Sequence, residues 1–211
     1  MPSFRLTVAY DGTGLVGWQR QATGVSVQAL LEGAASEIDG RPIVVTGAGR
    51  TDAGVHALGQ VASLSVTREI DAPALQRALN AHLPAAVRVV DAQAADPAFH
   101  ARFDATSKTY RYHVWNGEVV PPFLRAFTWH VPSPLLDVRR MDSAARLLEG
   151  RHDFAAFQSL GTDVVSSTRT LLGSRVRRVT IGDLDGVTAG LSAAAGSLLV
   201  YEVSGDGFLR H

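Results

Sequence analysis

Phe4, Leu6, Val8 and Tyr10 alternate with Arg5, Thr7 and Ala9, and this period of two makes the start of the chain a half-buried strand. The strand runs into a turn at Asp11-Gly12-Thr13-Gly14. Ser26 then caps a helix whose apolar positions Val27, Leu30, Leu31, Ala34, Ala35 and Ile38 keep helical spacing until Gly40. Pro42 to Thr46 and Gln60 to Val66 read as strands. Asp71 caps a second helix, with Pro73 in its first turn, Leu75, Ala78, Leu79 and Leu83 on one face, and Pro84 closing it. Ala86 to Ala94 is another strand. A run of β, α, β, loop, β, α, β with short links predicts an α+β sheet.

Residues 97–106 are irregular and carry Phe99, His100, Arg102 and Phe103. Lys108 to Trp115 reads as a strand, with Lys108, Tyr110, Tyr112 and Val114 on one face and Thr109, Arg111, His113 and Trp115 on the other. Such a surface is either an aromatic platform for bases or an amphipathic edge strand. Ala126 to Val131 predicts a short strand, and Asp137 starts a helix through Met141, Ala144, Ala145 and Leu148 that ends at Gly150. Arg151 to Phe157 follows, and the polar stretch from Gly161 to Thr168 is expected to be mobile. Thr170 to Ile181 and Ser197 to Val203 predict a hairpin joined by Gly- and Ala-rich sequence. The second half echoes the first in pattern without a sequence repeat. The expectation is therefore two similar half-domains, 1–105 and 106–211, each with a largely antiparallel sheet flanked by helices.

With 211 residues and 46% hydrophobic side chains, the chain can fill a core of this size. It has no Cys, which excludes disulfides, thiol nucleophiles and Cys-based zinc sites. Its first residues lack the pattern of a signal peptide, and no run approaches the roughly 18 apolar residues of a membrane span. The expected location is the cytoplasm. Basic and acidic residues balance at 20 each. Between Arg139 and Arg178, however, eight Arg face four acids, a local excess of positive charge.

One segment stands apart. Gly47-Ala48-Gly49-Arg50-Thr51-Asp52-Ala53-Gly54-Val55-His56-Ala57 combines three glycines, a cation, a carboxylate and an imidazole between two apolar runs. Its glycines permit positive φ and the close approach of another molecule. Asp, Gly and Thr are also ordinary turn residues, and Arg50 with Asp52 also fits a surface ion pair of little worth. As chemistry, Asp52 and His56 are four apart but have no third metal ligand nearby. Gly47-x-Gly49 lacks both the Gly-Lys-Ser/Thr of a phosphate loop and the third glycine of a dinucleotide fingerprint. No Gly-x-Ser-x-Gly elbow supports a hydrolase triad. A carboxylate acting as nucleophile or base, with an Arg nearby to keep it ionised, fits the segment.

Gly49 to Ala57 resembles the signature of the TruA family, the tRNA pseudouridine synthases that modify the anticodon stem-loop. The resemblance extends in order through Tyr10-Asp11-Gly12-Thr13, Gly17-Trp18-Gln19, Ser26-Val27-Gln28 and Phe99-His100-Ala101-Arg102. It continues through Lys108-Thr109-Tyr110-Arg111-Tyr112, His152-Asp153-Phe154 with Phe157, and Gly207-Phe208-Leu209-Arg210-His211. It implies isomerisation of uridine to pseudouridine at tRNA positions 38 to 40, without cofactor or metal, in a cleft between the half-domains. Asp52 would be the catalytic carboxylate, attacking C1′ of the ribose or C6 of the base. Tyr110 would stack on the target base, and Arg50 would enter the RNA and hold the flipped-out nucleotide. Lys108, Arg102 and Arg169 are further expected RNA contacts, Tyr112 and His56 are expected to be structural, and the partners implied are tRNA and a second copy of the chain. Family chains continue past the terminal His into Met-Val-Arg, whose Arg pairs with the catalytic Asp. The C-terminal elements, including that Arg, are thus expected to be missing here. A non-catalytic RNA-binding sheet is the rival reading, and it has no use for Asp52.

Overall fold

In a computed structural model that describes residues 1–159, 166–179 and 196–209, the opening alternation becomes strand β1 (Ser3–Tyr10). Phe4, Leu6, Val8 and Tyr10 are buried, and the residues between them are half-buried. The chain divides into two compact units, Met1–Ala105 and Thr106–His211. In the first, β1 lies inside an antiparallel sheet with β2 (Thr46–Gly47), β3 (Ala57–Ser65) and β4 (Val87–Ala95), in the order β2-β3-β1-β4. Helices α1 (Val27–Asp39) and α2 (Ala72–His82) pack on it.

Local signals set the helix ends. The Ser26 hydroxyl accepts the Ala29 N–H at 3.2 Å, and Gly40, at φ 76°, turns the chain out of α1. The Asp71 carboxylate accepts the Ala74 N–H at 2.7 Å to start α2. Residues 42–45, expected as a strand, pair with no strand among the described residues, and of that stretch Thr46, with Gly47 after it, joins the sheet. Side chains of α1 take up their backbone groups instead. The Ile43 N–H goes to the Ser36 hydroxyl, the Val45 N–H to the Glu32 carboxylate, and the Val45 carbonyl to the Gln28 amide.

The second unit holds the sheet β6-β5-β9-β8-β7, built from β5 (Lys108–Asn116), β6 (Trp129–Val131), β7 (Gly150–Asp153), β8 (Thr168–Val179) and β9 (Ser197–Gly205). Pairing is antiparallel except for β6 beside β5. Together the two units are α+β with largely antiparallel sheets, the class the sequence predicts. β6 is shorter than expected because the Leu124 carbonyl accepts both the Phe127 N–H and the Thr128 hydroxyl, curling residues 126–128 into a turn. Helix α3 (Val138–Arg146) is also shorter than expected. Bonds from Leu148 to Ala145 and from Glu149 to Arg146 tighten its exit, and Gly150 opens β7, a strand the sequence did not announce. Two expectations lie partly outside the described residues, the stretch 161–165 and the 180–195 connection of the β8–β9 hairpin, as do Arg210 and His211.

Candidate active site

The segment between β2 and β3 is held at many points along its backbone. The Ala48 N–H bonds the Val61 carbonyl at 2.8 Å, and the Gln60 amide donates to the Gly49 carbonyl at 2.9 Å. The Thr51 carbonyl accepts the Trp18 N–H at 3.0 Å, while the Thr51 hydroxyl meets the Tyr10 hydroxyl at 2.8 Å. The Gly54 N–H reaches the Leu15 carbonyl at 3.3 Å. Gly17, at φ 100°, allows the Trp18 segment this close, since a side chain there would run into the Thr51 carbonyl. The missing side chain of Gly47 has a different use from the one its composition suggests. The buried Trp18 ring fills that space, so Gly47 admits the chain's own core and not a second molecule.

From this braced frame Arg50 and Asp52 project into solvent. Asp52 makes no side-chain hydrogen bond or ion pair with any described residue, and no ion pair joins it to Arg50. The surface ion pair is therefore absent. His56 does not share a helical face with Asp52, because the Val55 N–H to Asp52 carbonyl bond closes a turn between them. The His56 Nδ1 lies 3.1 Å from the Gly12 N–H and 3.0 Å from an Asp11 carboxylate oxygen. It accepts from Gly12 when unprotonated and donates to Asp11 when protonated. His56 thus ties the end of β1 to the end of the loop. The Thr13 N–H and hydroxyl, with His56 beside them, hold the Asp11 carboxyl below the usual carboxylate range.

Tyr10 carries the polar end of this frame. Its ring is 4% exposed and tilts against Trp18 at 6.3 Å between centroids. Burial pushes the hydroxyl's pKa up, against bonds with Thr51 and Gln60, so it stays protonated at neutral pH. Sequence reasoning gave Tyr10, Gln60 and Thr51 no role. The available signal was a Tyr closing an otherwise apolar strand face just before the turn at Asp11.

In the second unit Tyr110 is half-buried on β5 opposite Val203, and the edge of its ring meets Phe208 at 4.9 Å and 82°. Lys108 starts the same strand opposite Gly205. Arg169, near the start of β8, donates to the Ser166 and Thr168 carbonyls at 2.7 Å, and its stem passes over Gly207. Lys108, Tyr110 and Arg169 therefore gather at one end of this sheet, whereas Arg50, Asp52 and Arg102 belong to the first unit. Arg102 is exposed, with its guanidinium 5.7 Å from the Phe103 ring centre. Tyr112 stacks on Tyr201 at 5.9 Å, a packing contact across the strands. The Arg-rich stretch is partly neutralised, since Arg146 pairs with Asp142 at 2.8 Å and Arg175 pairs with Glu149.

Known proteins resemble the chain over almost its full length. Residues 6–104 and 144–211 match the model of the tRNA pseudouridine synthase family, a span that includes Arg50, Asp52, Arg102 and Arg169 but not Lys108 or Tyr110. The tRNA pseudouridine synthase A of Methylacidiphilum infernorum is 46% identical over 207 residues, covering 98% of this chain and 74% of that protein. That of Solibacter usitatus is 41% identical over 212 residues, with 100% and 82% covered, and that of Limosilactobacillus fermentum 41% over 212, with 99% and 76%. No helix among the described residues is long and apolar enough to cross a membrane. With both family segments present and such relatives spanning nearly its whole length, the chain belongs to the tRNA pseudouridine synthase family.

Proposed function

We propose that this chain isomerises uridine to pseudouridine in the anticodon stem-loop of tRNA, at positions 38 to 40, with Asp52 as the catalytic carboxylate. The observation that carries the reading is the contrast within one loop. The backbone around Asp52 is bonded on both sides, yet its carboxylate faces solvent with no partner among the described residues. A backbone braced on both sides holds the exposed carboxylate in one place for reaction.

The reaction breaks the bond from C1′ to N1 and forms one from C1′ to C5, while C5 loses a proton and N1 gains one. Substrate and product are isomers, so the balance needs no co-reactant. Asp52 attacks C1′ or C6 and leaves again when the new carbon–carbon bond has formed. Arg50, exposed two residues before it, occupies the gap left by the extruded nucleotide, and Tyr110 stacks on the displaced base. Extrusion costs a few kcal/mol, and phosphate contacts from Lys108, Arg102 and Arg169 offset part of it. The chain works without a cofactor, in the cytoplasm, as a homodimer.

Incubation with an unmodified tRNA transcript, followed by mapping of pseudouridine along the anticodon arm, tests the reading. Pseudouridine at positions 38 to 40 is expected. Product confined to another arm would remove the site assignment, and none at all would remove the activity.

A further inference from the structure

We infer that the Tyr10 hydroxyl, acting through Thr51, is a positioning group that holds Asp52 at its reacting distance. The inference rests on the reading of Asp52 as the catalytic carboxylate. Tyr10 ends β1, and its ring belongs to the core of the first unit. The hydroxyl leaves that core and bonds Thr51 at 2.8 Å, one residue before Asp52. Gln60, a second polar neighbour of the hydroxyl, donates to the Gly49 carbonyl at 2.9 Å, one residue before Arg50. The two residues proposed to meet the substrate therefore each follow a pinned neighbour. An irregular loop has no strand register to place its side chains, so these bonds set where Asp52 points.

The geometry separates a positioning role from a packing role. Tyr10→Phe keeps the ring against Trp18 and deletes only the atom that reaches the loop. Reaction rates respond steeply to such a loss, because a shift of about 1 Å in a reacting group costs on the order of a hundredfold. tRNA binding spreads over many contacts and should change little. Thr51→Val removes the same bond from the other side with little change in shape, and Thr51→Ser keeps it.

Single-turnover formation of pseudouridine, KM for tRNA and the thermal midpoint, measured on the full chain, test the inference. Tyr10→Phe and Thr51→Val are each expected to slow the chemical step by about tenfold to a hundredfold. KM should stay within about twofold, and the midpoint should fall by no more than about 4 °C. Thr51→Ser should react like the parent, and Tyr10→Phe with Thr51→Val should be no slower than Tyr10→Phe alone, because the bond that Thr51→Val removes is already lost with the Tyr10 hydroxyl. A parental rate in Tyr10→Phe, a loss in Thr51→Ser equal to that in Thr51→Val, or multiplying effects in the double variant would overturn it. Asp52→Asn, run alongside, separates the two levels. Turnover retained in Asp52→Asn removes the catalytic reading and this inference together. An inactive Asp52→Asn beside a fully active Tyr10→Phe removes the inference alone.

Discussion

Asp52 in the first unit stands on an irregular loop, and Tyr110 in the second stands on a regular strand, and each is supported accordingly. Around Asp52 the support is polar and comes from several elements, Tyr10 from β1, Gln60 from β3 and Trp18 from the segment before α1. Tyr110 takes its place from strand register opposite Val203, and the Phe208 ring is added at its edge. The cores differ in the same sense. Among the described residues, nineteen buried side chains form one cluster in the first unit, whereas Trp115, Leu124 and Leu198 form a small cluster in the second. A loop can be held rigid only against something that does not move, and a continuous cluster of buried side chains, Tyr10 and Trp18 among them, lies behind the Asp52 loop. Both units share one device. Helix side chains occupy strand edges, with Asn80 of α2 bonding both backbone groups of Val89, and Asp142 of α3 accepting the Val176 N–H.

The largest expected effect sets one core against the other unit's surface. Leu6→Ala, fully buried in the first unit, should cost about 2–5 kcal/mol in urea unfolding. Leu135→Ala, 83% exposed in the second, should stay within about 0.5 kcal/mol. Equal costs would break the contrast. Next comes the carboxylate that replaces a strand partner for residues 42–45. Glu32 accepts the Val45 N–H at 3.2 Å and pairs with Arg20 at 2.5 Å. Glu32→Ala leaves that buried N–H without a partner and should cost about 1–3 kcal/mol, with hydrogen exchange at Val45 accelerated. Unchanged exchange would show that the segment is held by packing alone.

The smallest effect appears on acidification. Desolvation raises the pKa of Asp39, but the Arg68 N–H, the Arg41 guanidinium and Thr67 outweigh it and hold the carboxyl well below the usual carboxylate range. A folded pKa below the unfolded value, about 3.9, gives stability that is present above that value. It is lost as pH falls through the folded one. Asp39→Asn should therefore narrow the stability difference between pH 6 and pH 3. An unaltered pH profile would show that these bonds do not distinguish the folded from the unfolded carboxylate.

What the sequence disclosed was mostly local. Alternation at Phe4 to Tyr10, and the caps at Ser26, Gly40 and Asp71, act within a few residues and are legible there. The Pro42 to Val45 error has a distant cause, since apolar β-branched residues look like a strand until α1 side chains claim their backbone groups. β7 reads Gly-Arg-His-Asp, with no apolar alternation, and is a strand only because Thr168 to Leu171 lies beside it. Asp52, Arg50 and Tyr110 could be singled out from residue type and motif. The bonds that brace Asp52 could not, because Tyr10 and Thr51 are 41 positions apart in the chain. The use of Gly47 is illegible in the sequence for the same reason, its neighbour Trp18 being remote in the chain.

The most direct test of the account is tritium release from tRNA labelled at C5 of uridine, comparing Asp52→Asn with the parent chain and measuring tRNA affinity for both. Release should fall to background in Asp52→Asn while affinity stays near the parent's, because, as proposed, the carboxylate supplies the chemistry and the cations the binding. Release at the parent's rate from Asp52→Asn would contradict the account.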